Sequence, residues 1–218
     1  MAQVVAPARV LVWTETHQLG GCDRYLADLL PRLDPERWAV ALAGNPNPEF
    51  DAWLADRGLG PRHTVPVASL PDSRLERVRR RIGARGAAET GAATETTGGA
   101  LTVEEGSLPR RAVVAALRYQ HLAVNVARGR RLLRGARPDV LFFNNGGYPG
   151  GESCRALTLA AAAEGVPRVV HFVHNMAYPP FWPQALEHRY DARLDAITDV
   201  WVTAAHRASA GSSGTGMP

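Results

Sequence analysis

The stretch VVHFVHN, residues 169–175, carries an imidazole to the place where a buried strand should end. His174 is the last residue of that strand and Asn175 follows it. An imidazole there can donate to a substrate hydroxyl or take its proton near neutral pH. His171 lies three residues earlier, and in extended chain residues three apart face opposite sides of a sheet. The run Val169, Val170, Phe172, Val173 favours a strand over a helix, so the two rings should not share a metal. No third ligand accompanies them, and no metal site is expected. His171, in mid-strand, reads as a satisfied core histidine. For His174 two readings stand, a ring that meets a ligand and a ring that only packs.

Two other stretches carry polar groups suited to binding. FFNNGGYPGGES, residues 142–153, offers Asn144 and Asn145, each both donor and acceptor and so suited to sugar hydroxyls, followed by Gly146 and Gly147. The plainer reading is a glycine turn with Ser153 as a helix cap. Arg155 follows Cys154, so the stretch is not a G-x-S-x-G elbow and Ser153 is not read as a nucleophile. Gly20 and Gly21 precede a helix that opens on Cys22 and Asp23. They either turn backbone N–H groups toward an anion or supply a turn that needs positive φ. Asp23 should weaken anion binding there, and neither the dinucleotide fingerprint nor the P-loop pattern is present.

The elements that must hold these groups alternate along the chain. Short apolar runs at 9–13, 38–43, 63–67, 137–145, 167–175 and 199–204 read as strands, with helical patterns between most of them. Pro31 should end or kink the first helix, and Gly58 and Gly165 should close two later ones. The order predicts an α/β fold: a Rossmann-like parallel sheet with helices on both faces, in a single domain spanning 1–218. Residues 84–107, rich in Gly, Ala, Thr and Glu, read as a flexible insertion, and 210–218 as a short disordered tail. In such a sheet every strand ends on one edge, where ligands bind. QLGG, NNGGYPGGES, HNMAYPP and TAAHR all fall there, which makes a site of loops that are weak singly.

Composition excludes several classes. All 25 basic residues among 218 are arginine, the formal charge is +4, and no nucleic-acid-binding motif accompanies them. A GC-rich coding sequence accounts for that usage, and no nucleic-acid partner is expected. Two cysteines give no disulfide framework and no metal spacing, which favours a reducing, cytoplasmic setting. No signal peptide or membrane span is read. The arginine run at 74–85 is either a solvated helix face or a peripheral contact with the inner face of a membrane.

RVLVWTETHQLGGCDRYLADLLPRLDPERWAVALAG resembles the opening of a GT-B glycosyltransferase of the family-4 type. PDVLFFNNGGYPGGESCRALTLAAAAEGVPRVVHFVHN resembles the later part of the same N-terminal, acceptor-side domain. DAITDVWVTAAHRA is similar to the stretch after it, with Ala204 near the place where the family often has serine. The resemblance implies His174 as the active-site histidine and Gly20 and Gly21 as the loop near a donor diphosphate. It implies Asn175 and the 144–151 loop, with Asn144, Asn145, Gly146 and Gly147, as the acceptor side. A nucleotide-sugar donor and a hydroxyl-bearing acceptor follow as ligands, with no cofactor, in polysaccharide or glycolipid assembly. The C-terminal donor domain of that family is absent from these residues. The chain should therefore be inactive alone and need a donor-domain partner. The competing expectations are a non-catalytic sugar- or nucleotide-binding module and a Rossmann-like hydrolase or nucleotide-sugar epimerase.

Overall fold

The residues Ala8–Thr14 form the first strand, β1, and both of its faces are covered. Val10 and Val12 meet Leu26, Leu42, Phe50 and Leu54 on one side, and Leu11 and Trp13 meet Leu133, Leu141, Phe143 and Leu157 on the other. A strand buried on both faces is the mark of a parallel sheet between two helical layers. The computed structural model describes residues 6–16, 19–67, 108–145, 152–174 and 188–203. After β1 come α1 (Gly21–Leu29), β2 (Trp38–Gly44), α2 (Pro48–Ala55) and β3 (His63–Thr64). Then follow α3 (Leu108–Ala136), β4 (Val140–Asn145), α4 (Glu152–Glu164), β5 (Arg168–Val173), α5 (His188–Ile197) and β6 (Val200–Thr203).

The six strands pair in the order β3-β2-β1-β4-β5-β6, every pair parallel. α1 and α2 cover one face; residues 125–136 of α3, with α4, cover the other, and Ile197 of α5 joins them. The chain divides into two compact units, residues 1–67 with 125–218, and residues 68–124. The sheet belongs to the first. Of the second, only residues 108–124, helical throughout, are described. The expected insertion at 84–107, the arginine run at 74–85 and the tail at 210–218 lie outside the described residues.

Local chemistry explains the ends of the elements. α1 stops at Leu29, and Leu30–Arg32 make one 3-10 turn with Pro31 in it, since proline cannot continue the backbone ladder. Gly165 takes φ +68° after α4, and the Val166 N–H reaches back to the Ala161 carbonyl at 3.0 Å; the same ending closes α2 at Gly58. The third strand is shorter than expected, two residues rather than 63–67. Val65 still donates to Gly44, but Pro66 has no N–H to extend the ladder. β5 ends at Val173, so His174 is the first residue beyond the strand.

Much of the arginine is structural. Asp139 and Asp199 stand just before β4 and β6, and each accepts the backbone N–H of the adjacent strand, Arg9 and Val169, at 2.8 Å. Arg9 and Arg168 pair with those same carboxylates, and Arg130 and Arg134 both engage Glu164. No helix among the described residues is long and apolar enough to cross a membrane.

His171 is 8% exposed, stacked between Phe143 at 4.2 Å and Trp201 at 4.6 Å. Thr158 Oγ1 donates to the Cys154 carbonyl, so it accepts the His171 Nε2–H at 2.9 Å. Burial pushes this imidazole down to about 4. The folded value lies below the unfolded one, so the stability is complete above pH 6.5 and lost as pH falls through about 4. The loss expected from this site is ~3 kcal/mol, with half-buried His174 adding one of the same sign. Urea unfolding at a series of pH values should show that slope, and His171→Phe should flatten it.

Candidate functional site

The strand order reverses between β1 and β4. From β1 the chain moves outward through β2 to β3, then returns to the other side of β1 for β4. The connecting helices pass to opposite faces at that point, and open α/β sheets bind ligands at the C-terminal edge of such a switch. β1, β4, β5 and β6 are parallel neighbours, so the described flanks of all four unusual loops lie on this edge.

Alternation at the end of β1 sorts its residues to two sides. Trp13 and Glu15 turn toward α4. Trp13 Nε1 donates to Ser153 Oγ at 3.0 Å, and Ser153 donates both its hydroxyl and its N–H to Glu15 Oε2. Ser153 does not cap α4 with its hydroxyl as expected; the helix begins one residue earlier, and Glu15, from β1, accepts the free N–H of its first turn. Thr14 and Thr16 turn toward α1. Thr16 Oγ1 donates to Asp23 Oδ1 at 2.7 Å and the Gly20 N–H donates to Asp23 Oδ2 at 2.9 Å. Asp23 is 1% exposed, so the carboxylate expected to repel an incoming anion is instead enclosed by its own loop.

That loop is fixed from the β2 side as well. Asn45 accepts the Thr16 N–H and donates to the Thr16 carbonyl, both at 2.8 Å, in the manner of a strand partner. Asn47 donates to the same carbonyl at 3.0 Å while its Oδ1 caps α2 through the Phe50 N–H.

His174 follows β5 on the same edge. Its Nε2 lies 2.9 Å from Asn144 Oδ1, and Asn144 Nδ2 donates to the Cys22 carbonyl at 3.1 Å. β4, β5 and α1 are therefore joined through one amide. The ring packs on Phe172, 4.0 Å between centroids, and meets Tyr25 of α1 edge-on at 5.6 Å. Burial lowers the His174 imidazole below its ordinary value, with the nearby Asp23 charge opposing. The ring is thus neutral at pH 7. His171 and His174 face opposite sides of the sheet, as their spacing predicted. Among the described residues no group of three or more His, Cys, Asp and Glu could hold a metal.

Of the expected site residues, His174 and Asn144 are in direct contact. Gly20 precedes α1 and Gly21 opens it, and the Gly20 N–H is already donated to Asp23. Asn145 ends β4 beside Asn144. Gly146, Gly147, Asn175 and Ala204 lie outside the described residues. Sequence reading missed the Thr14–Thr16–Asp23 group, the Asn45 clamp and Tyr25. The signal for the first was available: threonines two apart at a strand end share a face, and an acid three residues after Gly20 can reach back to its N–H.

No protein-family model matches the sequence, and neither does any curated protein. Solved structures do match. A Listeria monocytogenes protein described as a UDP-N-acetylglucosamine 2-epimerase aligns with 98% of this chain and 43% of its own, at TM-score 0.56 and 11% identity. Another UDP-N-acetylglucosamine 2-epimerase aligns over 94% of this chain and 44% of its own, at TM-score 0.55 and 12% identity. Acinetobacter baumannii MurG aligns at TM-score 0.47 and 14% identity, over 91% of this chain and 41% of its own. The chain thus spans less than half the length of the proteins it resembles. Its six-stranded parallel sheet is one Rossmann-like half of a GT-B fold.

Proposed function

We propose that the chain is the acceptor-side half of a nucleotide-sugar-dependent glycosyltransferase of the family-4 type. The observation that carries the reading is His174 at the switch-point edge, hydrogen-bonded to a buried asparagine. An acceptor hydroxyl would donate to the imidazole and attack the anomeric carbon of the donor. The new bond is acceptor oxygen to carbon, the bond broken is carbon to diphosphate oxygen, and the nucleoside diphosphate leaves. Asn144 would hold the imidazole, and Asn145, Gly146, Gly147 and Asn175 would border the acceptor. Gly20 and Gly21 would lie nearest the diphosphate. Donor and acceptor must be held together out of water for this step, and that takes a second Rossmann-like half, in the same polypeptide or another.

A second reading has its own support. Two of the solved structures it resembles, at TM-scores 0.56 and 0.55, are described as UDP-N-acetylglucosamine 2-epimerases, so the same edge would serve a half that inverts a sugar carbon rather than transferring the sugar.

Titration calorimetry with UDP- and GDP-sugars, and turnover assays with and without a donor-binding half, separate these readings. The expected result is weak donor binding and no turnover by the chain alone, with transfer to a hydroxyl acceptor once the second half is supplied. Robust turnover without a partner would sink the half-cleft account. A product inverted at C2 of the sugar selects the epimerase reading, and binding without turnover in either format selects a non-catalytic module.

A further inference from the structure

We infer that Asn144 is a positioning residue that holds His174 as its Nε2–H tautomer and leaves Nδ1 as the nitrogen that accepts a proton. The Cys22 carbonyl can only accept. Asn144 Nδ2 donates to it at 3.1 Å, which fixes the amide so that Oδ1 faces the ring. Oδ1 can also only accept, and the ring nitrogen 2.9 Å away is Nε2. That nitrogen must carry the hydrogen. Asn144 is 1% exposed, so no bulk water competes for either end of its amide. Turning the amide over would set oxygen against the Cys22 oxygen and leave two buried groups mismatched.

The ring is restrained as well. Phe172 lies against it at 4.0 Å and Tyr25 meets it from α1, and a half-turn of the ring would put Cε1 where Nε2 now sits and lose the bond to Asn144. Nδ1 has no hydrogen-bond partner among the described residues. Protonation at Nδ1 keeps the Nε2–H, so the bond to Asn144 survives both charge states. A proton can therefore arrive at Nδ1 and leave it without the ring moving. The titratable and charged groups on the facing helix are Cys22, Asp23, Arg24, Tyr25 and Asp28; of these Asp23, enclosed by Thr16 and Gly20, acts on the ring through its charge.

The use of this nitrogen against an acceptor hydroxyl rests on the glycosyl-transfer reading; the tautomer does not. Long-range proton–nitrogen correlation spectra of the chain at neutral pH test it directly, with the His174 signal assigned by its loss in His174→Gln. Nε2 should resonate as a protonated nitrogen and Nδ1 as an unprotonated one. In Asn144→Leu the pattern should collapse to a mixture of tautomers. In Asn144→Asp the Nε2–H form should persist and the ring should titrate at higher pH than in the wild type. A wild-type ring protonated on Nδ1, or a pattern unchanged in Asn144→Leu, overturns the inference. Should Asn144→Leu fail to fold, the wild-type and Asn144→Asp spectra decide. A correct tautomer in a chain that transfers no sugar leaves this inference standing and counts against the proposed function alone.

Discussion

Replacing His174 with alanine, in the chain combined with a donor-binding half, should lower kcat for transfer by ~10²–10⁴-fold, the range for loss of a general base. The fold should survive, because the ring is only half buried and the strand before it ends at Val173. His174→Gln separates two contributions: it keeps an N–H for Asn144 but has no basic nitrogen, so it should bind acceptor better than alanine and react no faster. The pH profile carries a sign. Burial holds the imidazole below its ordinary value, so the active neutral form dominates at pH 7. The rate should therefore be flat at neutral pH and fall on an acid limb centred below the ordinary histidine value. A limb above that value, or alanine with wild-type kcat, would remove His174 from the chemistry.

Gly44→Ala should be the most damaging small substitution in the sheet. A Cβ on Gly44 would come closer than 3.0 Å to two atoms, the Thr14 carbonyl oxygen and Arg62 Nη1. Neither can give way. Thr14 is the register partner of Gly44 in the β1–β2 pair, and retreat would break the ladder. The Arg62 side chain is 1% exposed and bonded to Asp51 at 2.5 Å, with its guanidinium over Phe50. Overpacking of this kind typically costs ~1–3 kcal/mol, and a backbone clash lies at the upper end. For a domain of this size that is a fall of about 2–4 °C in Tm for each kcal/mol, readable by thermal unfolding. Gly135→Ala is the control: its Cβ meets nothing within 4 Å, and alanine in a helix should stabilise by a few tenths to ~1 kcal/mol. Similar Tm values for the two variants would contradict the packing described here.

The strands at β1, β4 and β5 were legible because each is a short β-branched or aromatic run with a helical pattern beside it, and a parallel sheet follows from that alternation. The pairing of His174 with Asn144 was half legible. Both residues stood out by type at strand ends, but only adjacency of β4 and β5 puts them in contact, and adjacency comes from topology. The Trp13–Ser153–Glu15 group was invisible for the same reason, Ser153 lying 140 residues from Trp13 and 138 from Glu15. The enclosure of Asp23 was not legible, because an acid in a first helical turn is usually solvated and its burial needs Thr16 and Gly20.

Glu15 and Asp23 have a joint consequence for electrostatics. Each places a carboxylate against the opening turn of one of the two helices, α4 and α1, that begin at this edge. Those turns are where partial positive charge would otherwise greet a phosphate. With both already countered from within, these two turns offer a phosphate little of the attraction that helix openings usually provide.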